Sequence, residues 1–376
     1  MEKKKNDFIA QGSILAIASI LVRVMGMIYR IPMTAIIGDK GNGFYSYAYS
    51  VYTILLLLSS YSLPLAVSKM VSAKAQLGQW RNVKRVFICA IAFAIGIGTT
   101  FGLIVLIGAQ FFTRVFFHSE LAAIALRFMA PTILIMALLG VFRGFFQGLQ
   151  NTLPTAVSQI VEGLINAIMS VVFAYFLFDF GHGMDVVSGT TDLGYAWGAA
   201  GGAIGTGAGA LAGLIFCFIL FVAYRKILAV NISRDKTGTQ QEYGDIFRLM
   251  LSIALPVILS TALYNLIELV DGSLFNNIMA SKGMEDVKDS MWGAYNAKAL
   301  LLVHIPVSIS SAMAVSLVPT LTAAYALGDE QTAKSKVHAI LRFISILAFP
   351  SAVGLLVLAN PIIKTLFSGD TSAAST

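Results

Sequence analysis

Long apolar runs alternate with short polar segments along the whole chain. Most exceed the roughly 18 residues that carry a helix across a bilayer. The pattern predicts nine spans, at 9–37, 44–68, 86–110, 121–145, 153–178, 196–224, 249–279, 293–318 and 337–360. The first and seventh are longer than the ~20 residues an upright span needs, so tilt or kinks are expected. Pro32, Pro64, Pro131, Pro256 and Pro306 lie in or beside spans, where a missing N–H bends a helix. Pro154 and Pro319 fall at helix ends instead.

Composition agrees with the pattern. The chain of 376 residues is 57% hydrophobic and 12% charged, more apolar surface than a soluble fold could cover. The polar start MEKKKNDF precedes an apolar run too long for a secretory signal, so an uncleaved first helix is expected. A net charge of +7 would suit a polyanion such as nucleic acid if it formed one patch. It does not: with the N-terminus inside, sixteen cations fall in inner segments and five in outer ones. That is the positive-inside rule, and nucleic acid is not an expected partner. The segment DFGHGMDVVSGTTDLGY, 179–195, reads as an acidic outer loop. Cys89 and Cys217 sit in apolar runs and read as small buried hydrophobes.

Five cations remain inside spans, among them Arg23 and Arg30, nearly two helical turns apart. They share a stripe with Ser19, Gly26 and Thr34. A cation at mid-bilayer costs about 2.5–3.5 kcal/mol on insertion scales. Facing a wet cavity removes most of that cost and presents a guanidinium fork to phosphate oxygens. Gln159, Glu162, Asn166 and Ser170 make a second stripe; Thr261, Asn265, Glu268 and Gly272 make a third, with Asp271 beside it. The expected role of these acids and amides is a cavity wall, in which Glu162, Glu268 or Asp271 neutralises the arginines or binds a coupling cation, Na+ or H+. In span six, Gly201, Gly205, Gly209 and Gly213 recur every four residues, a close-packing seam rather than a nucleotide loop. The four histidines are scattered without metal-ligand spacing, and no Walker loop occurs. No cofactor and no enzymatic activity are expected.

An internal repeat appears at an offset of about 250 residues. GFYSYA at 43 faces GAYNAK at 293, matching Gly43 with Gly293 and Tyr45 with Tyr295. LGQWRNVK at 77 faces LGDEQTAK at 327, and AQFFTRVFF at 109 faces ANPIIKTLF at 359. Both copies start in the same direction, so the repeat is parallel. The expected organisation is an N-lobe of six helices over 1–230, a cytoplasmic linker over 231–248, and a partial C-lobe over 249–376. The C-lobe holds three helices, so the chain reads as C-terminally incomplete.

Two stretches carry a family resemblance: RVMGMIYRIPMTAIIGDKGNGFYSYAY, and FRGFFQGLQNTLPTAVSQIVEGLINAI at the junction of spans four and five. Both resemble flippases of lipid-linked saccharides in the multidrug/oligosaccharidyl-lipid/polysaccharide (MOP) superfamily, nearest the stage V sporulation protein B and lipid II flippase branch. The resemblance implies an all-α fold of two six-helix lobes around a central cavity, in the bacterial plasma membrane with the N-terminus cytoplasmic. It implies a polyprenyl-diphosphate-linked saccharide as substrate, membrane lipids around the chain, and contact with cell-wall or polysaccharide synthesis enzymes. The family's cavity arginine carries over to Arg23 in RVMG, and Arg30 joins it as a candidate diphosphate ligand. A cation-coupled multidrug exporter of the same superfamily is the alternative.

Overall fold

In hydrocarbon every backbone N–H and C=O must pair within its own segment, which leaves an apolar chain little choice but helix. The computed structural model is helical accordingly. It describes residues 2–310 and 329–367, with residues 2–17, Tyr61, Ser260 and 262–264 described as backbone only. The helices are α1 (Glu2–Leu56), α2 (Leu63–Gln76), α3 (Trp80–Phe117), α4 (Ala122–Gly148) and α5 (Leu153–Ser188). They continue with α6 (Leu193–Ser233), α7 (Tyr243–Ser281), α8 (Glu285–Ala294), α9 (300–310) and α10 (Glu330–Leu366). Long apolar stretches able to cross a membrane are Ala18–Gln76, α3, α4, α5, α6 and α10. The remainder of the eighth expected span, 311–318, and Pro319 lie outside the described residues.

The first expected span and most of the second, up to Leu56, form one run of helix with a fault at Gly38, whose φ of 62° is left-handed. Twelve residues of straight helix would separate Met33 from Tyr45 by about 18 Å. Instead both side chains meet over Gly202, so the chain folds back at Gly38 into a hairpin. A β-carbon is strongly disfavoured there, and glycine removes it. A π-helical turn, Leu57–Tyr61, then interrupts the descending arm just before Pro64 opens α2.

Glycine seams hold the first six spans together. A β-carbon on Gly201, Gly205 or Gly209 would collide with α5 at Phe173 and Ala174, at Ser170, or at Glu162 and Asn166. The four-residue rhythm of α6 is therefore the contact line expected of it. A second seam was not anticipated: Gly140, Gly144 and Gly148 of α4 press on Pro64, Val67 and Val71 of α2. Two apolar cores result. One joins the α1 hairpin to the neighbouring ends of α3, α4, α5 and α6; the other joins α2 to the opposite ends of α3, α4 and α6.

The expected acidic loop at 179–195 is mostly helix, because α5 runs on to Ser188 and α6 starts at Leu193. Asp185 makes this tight reversal. Its carboxylate accepts from the Thr190 hydroxyl at 2.6 Å, the Leu193 N–H at 3.0 Å and the Gly194 N–H at 2.8 Å, satisfying donors that α6 cannot pair itself.

At the opposite end, 234–242 connects α6 to α7 and is clasped to the start of α3. Asp235 accepts from the Arg81 N–H at 2.9 Å, Asn82 pairs with Thr239 and Gln241, and Arg85 reaches Gln240 and Gln241. Hydrogen bonds from the Arg81 N–H and from the Thr237 hydroxyl and N–H hold the Asp235 pKa down to about 2.

Two outcomes follow from these contacts. Gly205→Val should lower the melting temperature sharply in detergent, overpacking of this kind costing about 1–3 kcal/mol or more. Gly244→Ala, where nothing lies within 4 Å, should leave it unchanged. Because the folded pKa of Asp235 lies below the ordinary value of about 3.9, its clasp is fully present above pH ~4 and is lost as pH falls toward 2. Amide hydrogen exchange within 236–241, corrected for its intrinsic pH dependence, should speed up over that window in the native chain and be fast already at pH 4 in Asp235→Asn.

Candidate functional site

The repeat becomes physical at the end of the bundle that carries Gly38, here the far end. A β-carbon on Gly43 would collide with the Asp289 backbone, and one on Gly293 with the Asp39 backbone. Gly43 and Gly293 are 250 residues apart, and so are Asp39 and Asp289. The two hairpins thus approach reciprocally, each offering its glycine to the other's aspartate. Side chains close around this contact. Lys298, 1% exposed, places its ammonium 2.7 Å from the Asp39 carboxylate. Lys288 donates to the Phe117 and His118 carbonyls at 2.9 and 2.8 Å, where α3 ends. Tyr47 donates to Asn276 at 2.9 Å and stacks on Phe117 and Trp292. Lys40 pairs with Asp192 at 2.7 Å beside them.

Beneath this closure lies a cavity of about 850 Å³. Arg30, Tyr45, Ser46 and Tyr49 of α1 form one wall. Asn265, Glu268, Asp271 and Phe275 of α7 face them, with Trp292, Tyr295, Asn296, Leu300 and His304 completing the lining. Repeat-related positions recur here: Tyr45 with Tyr295, and Ser46 with Asn296. Glu268 accepts from Ser50 at 3.4 Å. Arg30, Glu268 and Asp271 have no ion-pair partner within 4 Å among the described residues. The site therefore offers one guanidinium and two carboxylates, set among aromatic rings and amides.

The three expected stripes fare differently. The α1 stripe is split: Arg30 lines the cavity, whereas Arg23 is exposed about 10 Å further along α1, outside that lining. Between them Met27 packs against the small apolar cluster that contains Leu301, Leu302 and Ile363. The α7 stripe is brought to the cavity, with Asn265, Glu268 and Asp271 all on its wall. The α5 stripe is not. Glu162 lies 2.7 Å from Arg143, whose Nε also donates to Ser158 at 2.8 Å. Asn166 accepts from Ser170 at 2.8 Å against the α6 seam, and the buried Gln159 Oε1 has no partner among the described residues. The expectation that Glu162 neutralises Arg23 or Arg30 is corrected: Arg143 holds it. Arg143, expected in an inner loop, is itself 9% exposed within α4. Its polar neighbours on α5 are 15 and 19 residues away, a separation that no helical periodicity reveals. Lys298 and Asp39 were equally hidden, because they lie 259 residues apart in the chain.

Comparison with known proteins bears on this arrangement. The family described as polysaccharide biosynthesis protein matches residues 8–324, and a second family of that description matches 286–372. The chain belongs to the polysaccharide biosynthesis protein family. It is 26% identical over 370 residues to the lipid II flippase MurJ of Bacillus subtilis, covering 96% of this chain and 65% of that protein. Stage V sporulation protein B of the same organism is 24% identical over 98% of this chain and 68% of that one. The chain thus spans about two thirds of the length of these relatives. Among solved structures, a multidrug resistance MATE family transporter of the MOP superfamily in its inward-facing conformation aligns with a TM-score of 0.70 at 13% identity, over 96% of this chain and 78% of that one. Its outward-facing conformation scores 0.61 at 14% identity, over 98% and 76%. A MOP superfamily transporter from Pyrococcus furiosus scores 0.62 at 16% identity, over 98% and 76%. These likenesses show the MOP fold for this family member.

The far-end closure makes its own prediction. Removing one partner of a buried ion pair costs about 3–5 kcal/mol, so Lys298→Met should open this end. A cysteine at Ala294, 1% exposed, in a background lacking Cys89 and Cys217, should resist a water-soluble maleimide in micelles. Adding Lys298→Met should raise its labelling rate at least tenfold.

Proposed function

We propose that this chain moves a polyprenyl-diphosphate-linked saccharide, such as a peptidoglycan or polysaccharide precursor, from the inner to the outer leaflet by alternating access. The observation that carries the reading is Arg30. Its guanidinium stands deep in a membrane-spanning helix, yet it faces a cavity among tyrosines and has no ion-pair partner there among the described residues. A permanently charged fork in that position is a receptor for a diphosphate, and Arg keeps its charge where Lys could lose it. Arg23, exposed on the same stripe, would meet the diphosphate on the way in. The family membership and the flippase relatives support the same substrate kind.

In this reading residues 1–230 and 249–376 contribute the two lobes, the second represented by its first three helices, and 231–248 links them. The chain sits in the plasma membrane with its N-terminus cytoplasmic, as the distribution of cations favours. Arg143 is withdrawn from that count by its burial, and the bias stands without it. The far end then faces outward and is shut, and the headgroup enters from the cytoplasmic side. Rocking of the lobes would part Gly43 from Gly293 and release the headgroup outside while the lipid tail stays in the bilayer. The protein acts as a transporter and not as an enzyme; an Na+ or H+ gradient would supply the energy, and synthesis enzymes would supply the lipid.

Arg30→Ala is expected to weaken binding of polyprenyl diphosphate in nanodiscs by tenfold or more, with normal expression and melting. Unchanged binding would sink the assignment. The carboxylates Glu268 and Asp271 among aromatic rings also suit an organic cation, the chemistry of a multidrug exporter. Energised uptake of a cationic dye into inverted vesicles, with no diphosphate binding, would favour that reading instead.

A further inference from the structure

The cavity is asymmetric in charge, and the asymmetry bears on the headgroup. Opposite the single guanidinium of Arg30 stand Glu268 and Asp271, three residues apart on one face of α7. A diphosphate saturates one guanidinium, so whatever hangs from the diphosphate meets the α7 and α8 walls. Those walls carry two carboxylates, the amides of Asn265 and Asn296, and the rings of Tyr295, Phe275 and Trp292. Trp292 is 7% exposed, and its indole N–H has no acceptor among the described residues. Aromatic faces and hydrogen-bond acceptors are what sugar rings and hydroxyls bind. At about 850 Å³ the space lies toward the upper end of the roughly 300–1,000 Å³ common for small-molecule pockets.

Resting on the carrier-lipid reading and narrowing it, we propose that of the two precursor kinds the headgroup is the polysaccharide kind without a carboxylate-bearing peptide, an uncharged or amine-bearing saccharide read by Glu268, Asp271, Asn265, Asn296 and Tyr295. A headgroup rich in carboxylates is rejected. The physical reason is repulsion. A carboxylate brought beside Glu268 or Asp271 in a confined, partly dry space finds no second arginine and no lysine on the described lining to offset it. Hydroxyls and acetamido groups find acceptors in the same carboxylates. An ammonium group would find a charge-assisted pair. Specificity here comes from what the wall excludes as much as from what it binds.

The test compares three lipids against the purified chain in nanodiscs. The first is polyprenyl diphosphate alone. The second is the same lipid bearing a neutral N-acetylated disaccharide, and the third bears that disaccharide with a peptide carrying several carboxylates. The neutral saccharide should bind about tenfold more tightly than the carboxylate-bearing one, the order expected for like charges brought together near a protein surface. In a Glu268→Gln, Asp271→Asn double variant the ratio of affinities, carboxylate-bearing over neutral, should rise about tenfold. Tyr295→Ala should erase the advantage of the neutral saccharide over bare polyprenyl diphosphate. Equal binding of the two saccharide lipids by the native chain, or an unchanged ratio in the double variant, overturns the inference alone. Failure of the native chain to bind bare polyprenyl diphosphate overturns the carrier-lipid reading, and this inference with it.

Discussion

Two backbones reach touching distance only where one of them carries no β-carbon. At the far end of this molecule that condition is met twice, by Gly43 against Asp289 and by Gly293 against Asp39. Most of what surrounds the cavity depends on this reciprocal approach. It sets Lys298 beside the Asp39 carboxylate and lays Tyr47 on Trp292. It also roofs the space into which Arg30 points. The two contacts are copies of one another at the 250-residue offset, so parting the hairpins would break both. A side chain at either glycine would wedge the joint, so the repeat is visible in the sequence at the positions where its geometry is least forgiving.

The glycine contact also explains why so much charge sits at the far end without instability. Lys298 and Lys288 are nearly buried, and each has partners in the first six spans. Breaking either would strand an ammonium group away from water. The closure is therefore strong while it is shut, and a ligand must supply compensating interactions to open it. In the proposed function, a diphosphate held at Arg30 would lie below the joint and touch the same α1 hairpin that carries Asp39 and Gly43. Binding and opening thus share one element, the condition under which a ligand can shift the equilibrium between two arrangements.

How much of this could be read from the chain alone follows from the range of each signal. Helices were legible because hydropathy is local, their ends less so: the expected span at 337–360 lies inside the longer α10, and that at 121–145 falls on α4 but for Leu121. The α6 glycine seam was legible because its period is four residues. The hairpin was legible as two spans, though not that a single residue, Gly38, makes the turn. The site was partly legible. Residues three or four apart on one helix, such as Glu268 and Asp271, declare their common face. Which face meets the cavity is decided by packing between helices, and periodicity carries no information on it. Glu162 shows the difference, for its stripe was correct and its destination was not: Arg143, on the neighbouring helix, turned it toward the α4–α5 contact.

That pairing sharpens the chemistry of the cavity. Three carboxylates of this chain are paired within the fold: Glu162 with Arg143, Asp39 with Lys298 and Asp192 with Lys40. Each pair lowers the cost of burial and takes its members out of reach of a substrate. Had Glu162 faced Arg30, the guanidinium would be occupied and a phosphate would have to displace a carboxylate to bind. With Glu162 held elsewhere, Arg30 stays available. Glu268 and Asp271 are close enough to share its cavity, yet neither lies within ion-pair distance of it among the described residues. Such a cavity is nearly balanced in charge but separated into a positive wall and a negative one. It suits a ligand that is itself divided, with a diphosphate at one end and a hydroxyl-rich body at the other, better than it suits a uniformly anionic or uniformly cationic molecule.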